Sequence, residues 1–286
     1  MAKVRIFADS ISDIPQEWIM KYKIGIVPLY IVFENQSFLD RIEIDTHEMY
    51  KRVEESGKLP KTAAPSPADF NRIFSPTIEN GEDVLFISMS SELSSTYQNA
   101  IIAAREFPAG RITVVDSLNV SAGTAMIVLL AIRAAAEGQS ALSISEKIHK
   151  LRDEVQLNVL VNGLDYLHKG GRVNNLQHLV GSILRIRPIL YVRQGRVFSG
   201  VKYRGNKERV LRKLLDSILS HIHRIDHDQI IIAHTLEAES AEWIRNIILE
   251  ETCIRDVYII EGGCAICSHS GPHSLAISFI MKLNPF

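Results

Sequence analysis

The feature that most restricts this chain is an alternation, through its first half, of apolar strand-like runs with helical patterns. "VRIFA" (4–8) precedes a helix from about Pro15, and "IGIVPLYIVF" (24–33) precedes one from near Asp45. "DVLFISM" (83–89) leads into the helical stretch 94–107, and "RITVVD" (111–116) into a long helix through Val128. Strands separated by helices read as βα units around a largely parallel sheet. After about Leu157 the texture changes to short strand-like runs: "NVLVNGL", "RPILYV", "GRVFSGV", "QIIIAH" and "RDVYIIEG", with helices around 206–222 and 238–250. "PILYVRQGRVFSGV" reads as a hairpin turning at Gln194-Gly195. The expectation is an α/β chain, with an N-terminal parallel-sheet α/β domain over residues 1–157 and a C-terminal α+β domain over 158–286. A chain of 286 residues suits one large domain or two ordinary ones, and no Pro/Gly/Ser-rich linker marks the division.

Two helix starts have legible chemistry. "DIPQ" (13–16) fits a capping box led by Asp13, with Pro15 in the first turn. Ser66, Pro67 and Asp69 in "SPADF" mark a second start, the proline sitting where no amide donor is needed.

A formal net charge of −1 gives no general pull toward nucleic acid or anionic lipid. The basic run "RVLRKLL" near Arg209 reads as the wet face of an amphipathic helix. In residues 122–138 the apolar run is broken by Arg133 and falls short of the roughly 18 residues of a membrane span. "MAKVRIFADS" opens on a strand-like run with no visible secretion signal, and three cysteines make no disulfide framework. A cytoplasmic location is expected.

The densest chemistry lies in "EGGCAICSHSGPH" (261–273), which holds Cys264, Cys267, His269 and His273. Zinc needs its ligand pairs far enough apart for the chain to fold back, and one residue separates Cys267 from His269. With 264–268 read as a strand, the two cysteines face opposite ways and serve as small core residues. No metal and no cofactor is expected. His269 falls where that strand meets the "SGPH" turn, ahead of "SLAISFIMKL", which reads as a buried helix. It reads equally as a cleft-facing imidazole or as a hydrogen-bonded structural one.

Asp9 in "FADS" and Asp116 in "VVDS" close apolar strands, where open α/β sheets gather ligands, or else cap the next helix. The hydroxyl-rich loops "TAAPSP" (62–67) and "SMSSELSSTYQNA" (88–100) outline an anion site of free amides and hydroxyls. Neither nucleotide-binding glycine loop is present, nor the Gly-x-Ser-x-Gly elbow. Ser94, His269 and Asp116 nonetheless supply the residue types of a serine hydrolase. In "YLHKGGR" (166–172), Lys169 and Arg172 flank a Gly-Gly bend and suit a helix end.

Taken in order, "DSISDIP", "KTAAPSP", "SSELSSTYQNA", "VVDS", "YLHKGGR", "RPIL" and "SHSGPH" resemble the DegV family over nearly the whole chain. These are bacterial lipid-binding proteins that include the fatty-acid-binding subunits of fatty acid kinase. The resemblance implies a Rossmann-like, DegV/dihydroxyacetone-kinase-like N-terminal domain and a long-chain fatty acid in an apolar tunnel between two domains. By matching position, Thr62, Ser94 and His269 hold the carboxylate. Arg172 engages a separate kinase subunit that makes the acyl-phosphate, so the chain itself performs no chemistry. Three residues depart from the family pattern: Ala63 where relatives carry a hydroxyl, Ser95 for a glycine, and His273 for the last glycine of Gly-Pro-Gly. Two other functions stand beside this one: an acyl-transfer or hydrolytic enzyme using Ser94 with His269, and a binder of a small phosphorylated metabolite using Arg172 with His269.

Overall fold

A computed structural model describes residues 3–162, 165–174 and 186–282. Its first half runs β1 (Val4–Asp9), α1 (Gln16–Tyr22), β2 (Gly25–Val27), β3 (Tyr30–Phe33), β4 (Gln36–Leu39), α2 (Thr46–Ser56) and β5 (Lys61–Ala63). It continues through α3 (Pro67–Glu79), β6 (Asp83–Ser88), α4 (Thr96–Ala104), β7 (Ile112–Asp116), α5 (Ala122–Ala136) and α6 (Ala141–Leu151). The second half holds β8 (Val155–Leu160), α7 (Asp165–Gly170), β9 (Val173–Asn174), β10 (Ile186–Arg193), β11 (Arg196–Arg204) and α8 (Lys207–Leu219). Last come β12 (Gln229–His234), α9 (Ala238–Glu251), β13 (Asp256–Glu261), α10 (Cys264–Ser270) and β14 (Leu275–Ile280).

The alternation of the first half yields a parallel sheet in the order β2-β1-β6-β7. A small antiparallel sheet, β4-β3-β5, stands beside it. The second half forms a mixed sheet in the order β13-β12-β14-β8-β10-β11-β9. Its β10–β11 hairpin turns at Gln194 and Gly195, both at positive φ (48° and 77°), the geometry that matches the twist of paired strands. Ser66 and Asp69 form the capping box expected at α3, each side chain accepting the other's amide.

α5 lies between the two large sheets. One buried cluster joins its Ala125, Ile127 and Val128 to Ile6 and Leu85 of the parallel sheet and to Ile231 and Ala276 of the mixed one. A helix enclosed in this way is apolar all round, which explains the long run at 122–138. Arg133, near its end, reaches outward to Gln229 and Asp228. Among the described residues no helix is long and apolar enough to cross a membrane. On the outer face of the parallel sheet, α3 and α4 enclose Phe7, Phe70, Phe74 and Phe86, with edge-on contacts such as Phe7–Phe74 at 5.1 Å. α8 and α9 cover the mixed sheet through Val210, Leu214, Ile244 and Ile248.

Four local expectations are corrected. The run 24–33 is two strands in different sheets, divided at Pro28, which has no amide to carry a ladder across the junction. Asp13 does not cap α1: the N-cap is Pro15 with no side-chain bond, and Asp13 sits at φ 54° with its carboxylate engaged elsewhere. Residues 264–268 belong to helix α10 rather than a strand. "SLAISFIMKL" contributes β14, a central strand, rather than a helix. Leu275, Ile277 and Phe279 pack on one side of the mixed sheet and Ala276 and Ile280 on the other, and a strand buried on both faces has no alternation to betray it.

Truncating Phe74, fully buried in the aromatic cluster, should destabilise the fold by about 3–5 kcal/mol, whereas Ser66→Ala should cost about 1 kcal/mol. Urea unfolding of the two variants measures both.

Candidate ligand-binding site

A cavity of about 420 Å³ opens off the N-terminal end of α5, between the mixed sheet and the loops that follow the strands of the parallel sheet. Its volume lies within the ~300–1,000 Å³ typical of small-molecule sites. Ile11, Leu29 and Met89 line it from the first half of the chain; Leu157, Leu190 and Ala276 line it from the second. Thr62, Ala63, Ser94, Ser95, Arg172 and His269 all stand on its wall.

The most informative contact joins two residues 207 apart. Thr62 Oγ1 and His269 Nε2 are hydrogen-bonded at 2.9 Å. Thr62 is fixed by β5, where it pairs with Ile31 of β3; His269 lies in the last turn of α10. The other ring nitrogen, Nδ1, is buried, has no hydrogen-bond partner among the described residues, and lies against Gly170, where an added Cβ would come within 2.6 Å of it. Burial, and then the nearby positive charge of Arg172, push the imidazole down to about 4. At neutral pH this ring is uncharged.

What holds α10 was not read from the sequence. Gly263 N donates to Asp13 Oδ1 at 2.8 Å and Cys264 N to Asp40 Oδ1 at 2.9 Å. These two acids satisfy amides that the first turn of the helix cannot. Arg41 lies beside them, donating to Asp13 Oδ1 at 3.1 Å and to the Glu261 carbonyl. Ser10 Oγ donates to Asp40, and Ser121 Oγ to Asp13 Oδ2 at 2.5 Å. Burial raises Asp13 to about 6 against the opposing pull of Arg41, and it raises Asp40 in the same direction. The one sequence signal was Asp13 itself, mistaken for a local cap.

Asp9 and Asp116 shape the loop that carries Ser94. Asp9 Oδ2 accepts Met89 N at 2.7 Å, while burial raises its carboxyl to about 7. Asp116 Oδ1 accepts the amides of Ser91 and Leu118. Ser94 Oγ bonds Thr96 Oγ1 at 2.8 Å and accepts Thr96 N. The three residue types of a hydrolase triad are therefore each bonded to other partners.

Departures from the family pattern resolve individually. Ser95, at φ −75° and ψ 1°, occupies a conformation open to any residue, so the absent glycine brings no backbone strain. His273 adopts φ 62°, a left-handed conformation that suits glycine and that histidine enters more readily than most residues. Its Nδ1 pairs with Glu237 at 2.8 Å near the surface, and it is not on the cavity wall. The second imidazole on the wall is that of His234, at the end of β12, rather than that of His273. Ala63 lines the cavity without a hydroxyl, while Ser95 stands on the same wall.

The cysteines lie in the packing around α10. Cys264 and Cys267 join Leu29, Ile31, Ile44 and Met49 in one buried cluster. Burial pushes the Cys267 thiol up to about 12 and Cys264 up as well, so neither offers a thiolate. Among the described residues no group of three or more His, Cys, Asp or Glu side chains is placed to hold a metal. Arg172, just beyond α7, is exposed, and its guanidinium donates to the Gly170 carbonyl at 2.9 Å.

Residues 3–282 match the family model "Uncharacterised protein, DegV family". A DegV domain-containing protein of Caldanaerobacter subterraneus subsp. tengcongensis is 33% identical over 282 residues, 99% of this chain and 100% of that protein. A protein of Thermotoga maritima named fatty acid-binding protein is 30% identical over 279 residues, 94% of this chain and 95% of that one. Among solved structures, a DegV family protein from Thermus thermophilus, described for its fatty acid binding, aligns with a TM-score of 0.90 at 29% identity, covering 98% of this chain and 100% of that one.

The depressed His269 pKa has a signed consequence. Above the ordinary histidine value of 6.5 the ring is neutral whether folded or unfolded; as pH falls toward about 4, only the unfolded chain takes up the proton. The contribution of His269 to stability is thus complete at neutral pH and is lost on acidification. Asp9 and Asp13, both raised, act in the opposite sense, so the comparison is made against His269→Gln. The stability difference, wild type minus variant, should shrink between about pH 7 and about pH 4.5 in urea unfolding.

Proposed function

The chain belongs to the DegV family, and from that premise we propose that it binds one long-chain fatty acid, the tail in the apolar cavity and the carboxylate at Thr62, Ser94 and His269. The observation that carries this reading is the Thr62–His269 hydrogen bond on the wall of an otherwise largely apolar cavity. Relatives named or described for fatty acid binding support the ligand class.

Energetics favour such a division between tail and head. At ~0.8 kcal/mol per buried methylene, about fourteen methylenes give on the order of 11 kcal/mol, against association costs of roughly 4–15 kcal/mol. Tight binding therefore requires an almost fully enclosed tail. The carboxylate, leaving water, must find donors, and each hydrogen bond to a charged group contributes about 1.5–3 kcal/mol. With its proton on Nε2, the imidazole donates to Thr62 Oγ1, which frees the threonine hydrogen for the incoming carboxylate. Ser94 supplies a second hydroxyl.

The bound carboxylate is then presented to a separate kinase subunit for acyl-phosphate formation, with Arg172 as the contact at the cavity edge. This chain's part is to enclose, orient and display. A site for a small phosphorylated metabolite has less support, because the wall beyond Arg172 is apolar: Leu167, Val173, Leu190 and Val197 line it.

Native mass spectrometry of protein purified from cells should find fatty acid near one per chain. Combining Thr62→Ala with His269→Ala should weaken retention at least about tenfold, as expected for one lost hydrogen bond to a charged group and the loss of the imidazole that orients it. Unchanged loading would defeat the head-group assignment. Arg172→Ala should stay loaded yet slow acyl-phosphate production by the cognate kinase; loss of loading would move Arg172 into the ligand site.

A further inference from the structure

Three distant parts of the chain meet at one buried carboxylate. Asp13 Oδ1 accepts the amide of Gly263, at the start of α10, and the guanidinium of Arg41; Oδ2 accepts Ser121 Oγ. Asp13 is fully buried and held at φ 54°. None of these contacts serves α1, the helix that follows it.

Ser121 is the second unusual residue. Its backbone lies at φ 50° and ψ −127°, a region sparsely populated by residues other than glycine, and such geometry persists only when its surroundings fix it. Here its amide donates to the Ile11 carbonyl at 3.1 Å and its hydroxyl to Asp13. Ser121 and Ile11 both line the cavity. At the other side, α10 is a seven-residue helix whose first amides are held by Asp13 and Asp40 and whose last turn carries His269. A helix this short spans about 10 Å, so a tilt at its anchored end is carried to the imidazole. A displacement of about 1 Å is enough to break the bond to Thr62, since hydrogen bonds weaken beyond ~3.2 Å. Asp40 shares the anchoring of α10, but its second oxygen goes to Ser10, which is not on the cavity wall.

We propose that Asp13 is a positioning residue for the cavity: through Gly263 and α10 it sets where the His269 imidazole stands, and through Ser121 it sets the wall at the start of α5. One carboxylate thereby keeps two walls in register. The ligand readout below rests on the fatty-acid reading; the histidine readout does not.

The test uses full-length protein stripped of lipid, with Asp13→Ala and Ser121→Ala compared with wild type at a temperature where each is folded by circular dichroism. NMR follows the His269 ring through a pH titration, its signals assigned by their loss in His269→Gln. Stopped-flow fluorescence follows dissociation of cis-parinaric acid. In Asp13→Ala the His269 ring should gain solvent and show at least a tenfold rise in proton affinity, with cis-parinaric acid leaving at least about tenfold faster. Ser121→Ala should move both in the same direction by a smaller factor.

A lower melting temperature with an unmoved His269 titration and an unchanged dissociation rate would overturn the proposal, because it would leave Asp13 a purely structural residue. Should Asp13→Ala fail to fold with Arg41 left unpaired, Ser121→Ala decides by the same two readouts. If the His269 titration moves but wild type itself does not bind cis-parinaric acid, the positioning role stands and the fatty-acid reading fails.

Discussion

The rest of the structure depends on a helix with no free face. α5 is buried along nearly its whole length because both large sheets pack against it, one on each side. Two sheets that share one helix cannot be oriented independently. Their separation is set by the helix diameter, about 10 Å with side chains. Where α5 begins, at Ala122, the spacer stops; the mixed sheet continues, while the strands of the parallel sheet give way to the loops that follow them. The cavity lies there, with Val120 and Ser121 at its edge. An apolar cavity thus follows from ordinary packing, with no special lining required.

Electrostatics divide the interior into two kinds of polar site. Asp9, Asp13 and Asp40 are buried; Asp13 and Asp40 spend both oxygens on backbone amides, hydroxyls and one arginine, and Asp9 gives Oδ2 to the Met89 amide. They define loop and helix positions at a desolvation cost that appears in their raised pKa values. The polar residues on the cavity wall beside α10 are of another kind: hydroxyls and the imidazoles of His234 and His269, both held below the ordinary histidine value by the same burial. The acids therefore lie behind the wall, and hydroxyls and imidazoles face the cavity. Among the described residues, only exposed Arg172 brings a full charge to its edge.

Legibility in the sequence followed the range of the interactions. The capping box at Ser66 and the turn at Gln194-Gly195 are set within four residues, and both were readable. The parallel sheet was readable because the βα alternation repeats four times. Helix α10 was not, since "CAICSH" is short and the acids that anchor it lie 250 and 224 residues away. β14 was misread because a central strand and a buried helix present the same unbroken apolar run. Thr62 and His269 were paired only through family resemblance; no local pattern links residues 207 apart. Gly170 was noticed as part of a bend, whereas its structural weight lies in the close approach of His269.

The position of β14 has a consequence for how the molecule is made. This strand lies inside the mixed sheet, between β12 and β8, yet it occupies residues 275–280. During synthesis, β8 and β12 leave the ribosome well before their common neighbour exists, and each must wait with one unpaired edge. Such edges are templates for wrong pairing, so the interval invites chaperone protection until β14 arrives. A ribosome stalled short of residue 275 would carry a polypeptide that has not yet closed its second sheet.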